Sequence, residues 1–362
     1  MEMQTSLVMA LCGFAGGVVL GLAARVGRFC TMGALEDAFL GGDMRRLRSW
    51  ALAIAVALAL TQIAIALSHI DPARSIYLPS TLPWLGAIAG GLMFGIGMAL
   101  VGTCGFGTLA RIGGGDLRSV VTFLVMGVSA YMAMRGITGV LRQVLIDPFT
   151  LSFASLGGTA LNDILDKALG IETGAALGLV VAGMLGAWAL RDGTFRSETR
   201  LVGSGIAVGL AIAGGWLATG LLGNNPFEPQ KLESFTFVRP LGDALVYVMT
   251  YSGATLTFGI GSVFGVIFGA VAGALFKREF RWEACDDVRE LRRHMVGAFL
   301  MGTGGILAFG CTIGQGITAA SVLAVSAPLV MVSIAVGARL GLAWLIEGSI
   351  MGLFGQRGSH GT

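Results

Sequence analysis

The sequence predicts an all-α polytopic membrane protein. It would hold about nine transmembrane helices and four short re-entrant helices, arranged as an inverted pseudo-twofold repeat with an hourglass-like interior. Three observations predict it. The 362 residues are 55% hydrophobic and only 12% charged, with a mean hydropathy of +0.81, whereas an average soluble domain is roughly 25% charged. Glycine reaches 58 residues, well above its ordinary share of about 7%. The third is an internal likeness: AFLMGTGGILAFGCTIGQGITAAS (298–321) repeats the pattern of AIAGGLMFGIGMALVGTCGFGTLARIGGG (87–115).

The spans are expected near 7–25, 49–69, 84–102, 119–137, 171–190, 201–222, 252–276, 295–310 and 326–346. The clearest signals are the charge-free windows 49–70, 173–190, 201–226 and 244–276. A bilayer core needs about 20 helical residues to cross it, so such windows read as transmembrane and not as core helices. All eight prolines fall outside these spans or at their ends. The first span shows no Ala-x-Ala-like cleavage site after a basic start and is expected to be retained. Of the connections, 138–170 includes LNDILDKAL, which suits a short surface helix, and 224–240 is a proline-rich loop.

Basic residues gather in loops 41–49, 191–200 and 277–293. Lysine and arginine favour the cytoplasmic side of a membrane. Nine spans then leave the N-terminus periplasmic and the C-terminus cytoplasmic. The net charge of +3 is small and its arginines lie mostly in loops, so no nucleic-acid-binding patch is expected.

The stretch 295–338 carries no charge. It is too long for one crossing, yet it has no polar loop to separate two. A broken helix followed by a re-entrant segment around Cys311 uses the surplus. Non-helical backbone at that depth is tolerated only where protein buries it or a cavity borders it. Cys104 lies in the matching break of the first copy. The whole chain, 1–362, then reads as one transmembrane domain with repeat 1 at about 7–137, a linker helix at about 171–190, and repeat 2 at about 201–346. An odd helix between copies inverts the second, as in many transporters. GRFCTMG and GTCGFGT would enter from one face, SFTFVRP and GCTIGQG from the other.

Three of the five cysteines, Cys30, Cys104 and Cys311, occupy such breaks. Cys12 reads as a small hydrophobe and Cys285 as incidental. A thiol in an apolar pocket stays protonated, because loss of water disfavours the thiolate. A neutral S–H is a weak donor with a polarizable sulfur, suited to a soft sulfur-containing anion that a thiolate would repel. Helix starts add backbone N–H groups and partial positive charge. Gln315 offers amide donors beside Cys311, and Arg28 and Arg239 lie where they would attract anions to the two mouths. Arg111 reads as interfacial anchoring. No catalytic residue, metal site or cofactor is expected: the cysteines form no CxxC pair, and none of the three histidines lies near the motif cysteines in sequence.

GRFCTMGALEDAF (27–39), GMALVGTCGFGTLARIGGGDLRS (97–119) and GCTIGQGITAAS (310–321) resemble the YeeE/YedE sulphur-transport family. The resemblance covers essentially the whole chain. It implies a bacterial inner-membrane uptake protein for thiosulfate, with inverted repeats and motif cysteines that hydrogen-bond the anion in turn; by motif these are Cys30, Cys104 and Cys311. It also implies work beside a small TusA-like sulfur-carrier protein on the cytoplasmic side. The other readings are transport of another sulfur or selenium species, a membrane thiol-redox or sulfur-transfer enzyme, and a Cu(I) channel drawing on Met32, Met93, Met98, Met126 and Met301. The coupling ion is not legible. Glu36, Asp37 and Asp116 suit capping better than proton transfer.

Overall fold

The computed structural model describes residues 2–153, 158–170, 174–223, 231–284 and 287–347. In chain order the helices are α1 (Glu2–Val26), α2 (Thr31–Glu36), α3 (Arg45–Ala66), α4 (Trp84–Val101), α5 (Gly105–Ile112), α6 (Leu117–Arg135), α7 (Ile137–Leu145), α8 (Leu161–Leu169), α9 (Gly174–Leu190), α10 (Gly193–Ser197), α11 (Thr199–Leu222), α12 (Arg239–Met249), α13 (Phe258–Phe276), α14 (Val288–Leu307) and α15 (Ser326–Glu347). π-Helical turns follow α2 at Asp37–Gly41 and precede α15 at Gly314–Ala319. Two-residue strands, β1 (Thr81–Leu82) and β2 (Leu151–Ser152), pair antiparallel with Thr81 opposite Ser152.

Among the described residues, seven helices are long and apolar enough to cross a membrane. Two of the expected spans fall outside that set. The first is α9, apolar but 17 residues long. The other is α14, which starts seven residues before the expected 295, because Asp287 caps it through the Arg289 N–H (2.9 Å) and a charged turn precedes the apolar part. The span expected from 252 starts at Phe258, where the Thr257 side chain accepts from the Ile260 N–H. LNDILDKAL forms α8, and the connection ahead of it also holds α7.

Glycine decides how closely the helices approach. Along α1, Gly13, Gly17 and Gly21 recur every fourth residue, and Gly261, Gly265 and Gly269 do the same along α13. A Cβ on Gly265 would overlap the Phe14 carbonyl, and one on Gly21 would overlap that of Val266. In lipid no water drives apolar helices together, so backbone contact between small residues supplies the association. α4 packs against both α14 and α15, α6 against α14, and α3 against α9 and α11.

The helix ends gather on two faces. On one, Arg48 pairs with Asp192 (3.4 Å), Arg45 with Glu198, and the Lys277 ammonium donates to the Val26 carbonyl (3.1 Å). There Arg118 holds Asp116, Glu283 and Glu290 together, and Arg281 and Glu283 donate their N–H groups to the carbonyls of Gly114 and Gly115 (each 3.1 Å). Asp116 caps α6 and Asp37 pairs with Arg46 (3.1 Å), so both carboxylates have structural partners. The opposite face carries β1, β2, the bridge between Ser75 and Leu232, and the Thr159 hydroxyl donating to the Pro79 carbonyl (2.7 Å).

A candidate substrate path at the converging helix starts

Each motif cysteine stands at the start of a short helix because the preceding helix ends the same way. Arg28, Gly102 and Phe309 take left-handed backbone angles, with φ of 56°, 73° and 57°. A cysteine follows two residues after each. The left-handed residue ends the incoming helix and redirects the chain; the extended cysteine then opens a new one, with Cys30 preceding α2 and Cys104 preceding α5. Glycine adopts that geometry freely, whereas a residue with Cβ strains to do so. Arg28 and Phe309 therefore carry backbone strain at these turns.

These helix starts meet inside the bundle. The Thr31 hydroxyl, next to Cys30, lies 3.8 Å from the Cys104 sulfur and donates to the Thr312 hydroxyl at 3.0 Å. Thr312 follows Cys311, whose sulfur accepts from the backbone N–H groups of Phe237 (3.3 Å) and Gly314 (3.4 Å) and lies 3.9 Å from the Thr236 hydroxyl. Phe237 belongs to SFTFVRP, the segment that runs in ahead of α12, and its ring packs on Phe106 with centroids 5.2 Å apart. Cys104 and Cys311 are fully buried and Cys30 half-buried. Cys12 is half-buried in α1, away from these breaks, and Cys285 lies outside the described residues.

A cavity of about 640 Å³ lies next to the Cys311 break. Thr236, Gly310 and Tyr77 border it, with Arg239, Lys231 and Glu233. Arg239 reaches Asp243 at 3.4 Å, so its charge is partly countered. Arg28 is exposed. Arg111 donates to the Gly102 carbonyl at 2.8 Å, tying α5 back onto the break that starts it. Gln315 faces backbone: its amide donates to the carbonyls of Ala308 (3.0 Å) and Phe309 (3.3 Å), and its oxygen accepts from Ser326 (3.2 Å). Its two amide donors thus hold the break in shape. Among the described residues no group of three His, Cys, Asp or Glu side chains is placed to hold a metal.

Sequence reasoning did not single out Thr31, Thr312, Thr236 or Tyr77. The repeated Cys-Thr pair was the signal for the first two. Nothing in the sequence near Tyr77 marks it.

A bundle of apolar helices, interrupted by helix starts that bring the motif thiols together beside a cavity, defines a polytopic membrane protein. The family model for sulphur transport matches residues 26–340, and the chain belongs to that family. It is similar to two proteins named thiosulfate transporter TsuA. The one from Escherichia coli (strain K12) is 26% identical over 328 residues, 85% of this chain and 87% of the relative. The one from Spirochaeta thermophila is 25% identical over 369 residues, 93% of this chain and 99% of the relative.

Proposed function

We propose that this protein takes up thiosulfate across the bacterial inner membrane, passing it along the motif thiols without chemical change. The single observation that carries the reading is the Thr31 hydroxyl, which reaches the Cys104 sulfur and the residue beside Cys311 from the residue beside Cys30. One polar seam thus connects the neighbourhoods of all three cysteines. Thiosulfate is a dianion, and loss of its water must be offset by several donors at once. Thiols are weak donors, so three stations favour passage over trapping. Arg239 attracts the anion at the outer mouth and Arg28 at the inner one, while Gln315 positions the Cys311 break. The relatives' printed names support the substrate.

The inverted-repeat reading has support from packing. α1 packs on α13 as α11 packs on α3, α4 packs on α15 as α14 packs on α6, and α12 packs on α6 as α2 packs on α15. Each contact has its mate if repeat 1 (about 7–137) and repeat 2 (about 201–346) are copies joined by the linker helix α9 within one domain. With α9 and α14 counted, the chain crosses nine times. The face holding Arg45, Arg48, Arg118 and Lys277 is then cytoplasmic, the N-terminus periplasmic and the C-terminus cytoplasmic. A TusA-like carrier would receive the product on that face.

The test is uptake of labelled thiosulfate into proteoliposomes, with and without a pH gradient. Cys30→Ala, Cys104→Ala and Cys311→Ala are each expected to abolish it, and Cys12→Ala to leave it intact. Uptake persisting in all three motif variants would refute the thiol path. Unlabelled sulfite, hydrosulfide and selenium oxyanions as competitors identify any other cargo.

A further inference from the structure

The cavity is bordered by a buried phenolic hydroxyl, that of Tyr77. Tyr77 is 2% exposed, and its hydroxyl makes no well-formed hydrogen bond among the described residues, although the Thr236 hydroxyl stands beside it. An unpaired buried hydroxyl is costly. The ring is held in place all the same. It packs edge-on against Trp216 (centroids 6.4 Å apart, 78° between planes), whose indole N–H donates to Ser321 at 2.9 Å. Its backbone N–H donates to the Ser75 hydroxyl at 3.3 Å.

Hydroxyl, thiol and amide groups surround that hydroxyl, and the Glu233 carboxyl borders the same cavity. A Cβ built on Gly314 would lie 2.9 Å from it and 2.5 Å from the Thr236 hydroxyl, so both oxygens converge over one glycine. The Gly314 N–H in turn donates to the Cys311 sulfur. Phenol, alcohol, thiol and backbone amide thus crowd one spot beside the cavity that Arg239 borders.

We propose that Tyr77 is a further substrate-binding residue, donating its phenolic O–H to an oxygen of the sulfur oxyanion as the anion reaches Cys311. This rests on the transport reading above and narrows its substrate class. A fixed phenol beside a thiol suits a guest that presents oxygen as well as sulfur, such as thiosulfate or sulfite. It gives no such advantage to hydrosulfide, which has no oxygen to accept from it.

Tyr77→Phe keeps the ring and removes only the hydroxyl. KM for labelled thiosulfate is expected to rise about tenfold, as for loss of a hydrogen bond to a charged group. Sulfite should weaken as a competitor by a similar factor, while hydrosulfide competition stays unchanged. Thermal unfolding in detergent should stay level or move upward, because an unsatisfied buried group has gone. An unchanged KM overturns the proposal. So does a raised KM accompanied by lost stability, which would mean a structural role. Cys311→Ala measured alongside separates the two readings: if it abolishes uptake while Tyr77→Phe changes nothing, only the role of Tyr77 fails; if it leaves uptake intact, the thiol path fails first.

Discussion

The hydroxyls of Thr31 and Thr312 meet at 3.0 Å, 281 residues apart in sequence, each directly following a motif cysteine. A buried bond between neutral groups contributes about 1 kcal/mol net, and leaving one partner unsatisfied costs about 1–3 kcal/mol. Thr31→Val and Thr312→Val are each expected to destabilise the protein by roughly that amount, and the double variant by clearly less than their sum. A double-mutant cycle on thermal unfolding in detergent reads the coupling. Simple additivity would show that the seam is not energetically connected.

Glycine substitutions should sort by neighbourhood. Gly314→Ala drives a methyl between Thr236 and Tyr77, so uptake should be lost although the protein still inserts. Gly102→Ala forces a Cβ into the left-handed geometry that precedes Cys104, costing about 1–2 kcal/mol. Gly183→Ala, which meets nothing within 4 Å on α9, should be neutral or stabilise by up to about 1 kcal/mol. Equal behaviour of all three, in uptake and unfolding, would contradict the packing.

The Asp116 carboxyl sets an acid limit on the face that Arg118 clamps. Burial alone would raise it, but hydrogen bonds from Ser119 and Arg118 outweigh burial and hold it below its ordinary value of 3.8. The folded state therefore binds this proton less readily than the unfolded chain does. That contribution is complete above the unfolded value and is lost as pH falls through the folded one. Asp116→Asn should flatten the loss of stability below about pH 4. An identical acid profile in the variant would show that this site carries none of it.

Arg239→Gln removes a charge from the mouth of the cavity while leaving the cysteines untouched. Because Asp243 already counters part of that charge, a several-fold rise in KM is expected, not a loss of uptake. The remaining uptake should depend less on ionic strength, since long-range attraction of an anion is screened by salt. Unchanged KM and salt dependence would remove Arg239 from the path.

The sequence by itself determined the solvent and the class. Charge-free windows longer than a bilayer is thick, and a glycine content suited to helices in backbone contact, follow from composition and spacing alone. It also located the cysteines at breaks, because glycine clusters and the surplus of 295–338 are visible in one dimension. Only the tertiary structure decided how those breaks are made. Two of the three left-handed turns rest on Arg28 and Phe309, residues that carry no such preference. Tertiary structure also set the Gln315 amide against the carbonyls of Ala308 and Phe309. Finally, it brought Tyr77 from a distant loop to the cavity beside Cys311. Periodicity reports which solvent a segment prefers; which hydroxyl faces which thiol depends on contacts between residues tens to hundreds of positions apart, and those exist only once the chain has folded.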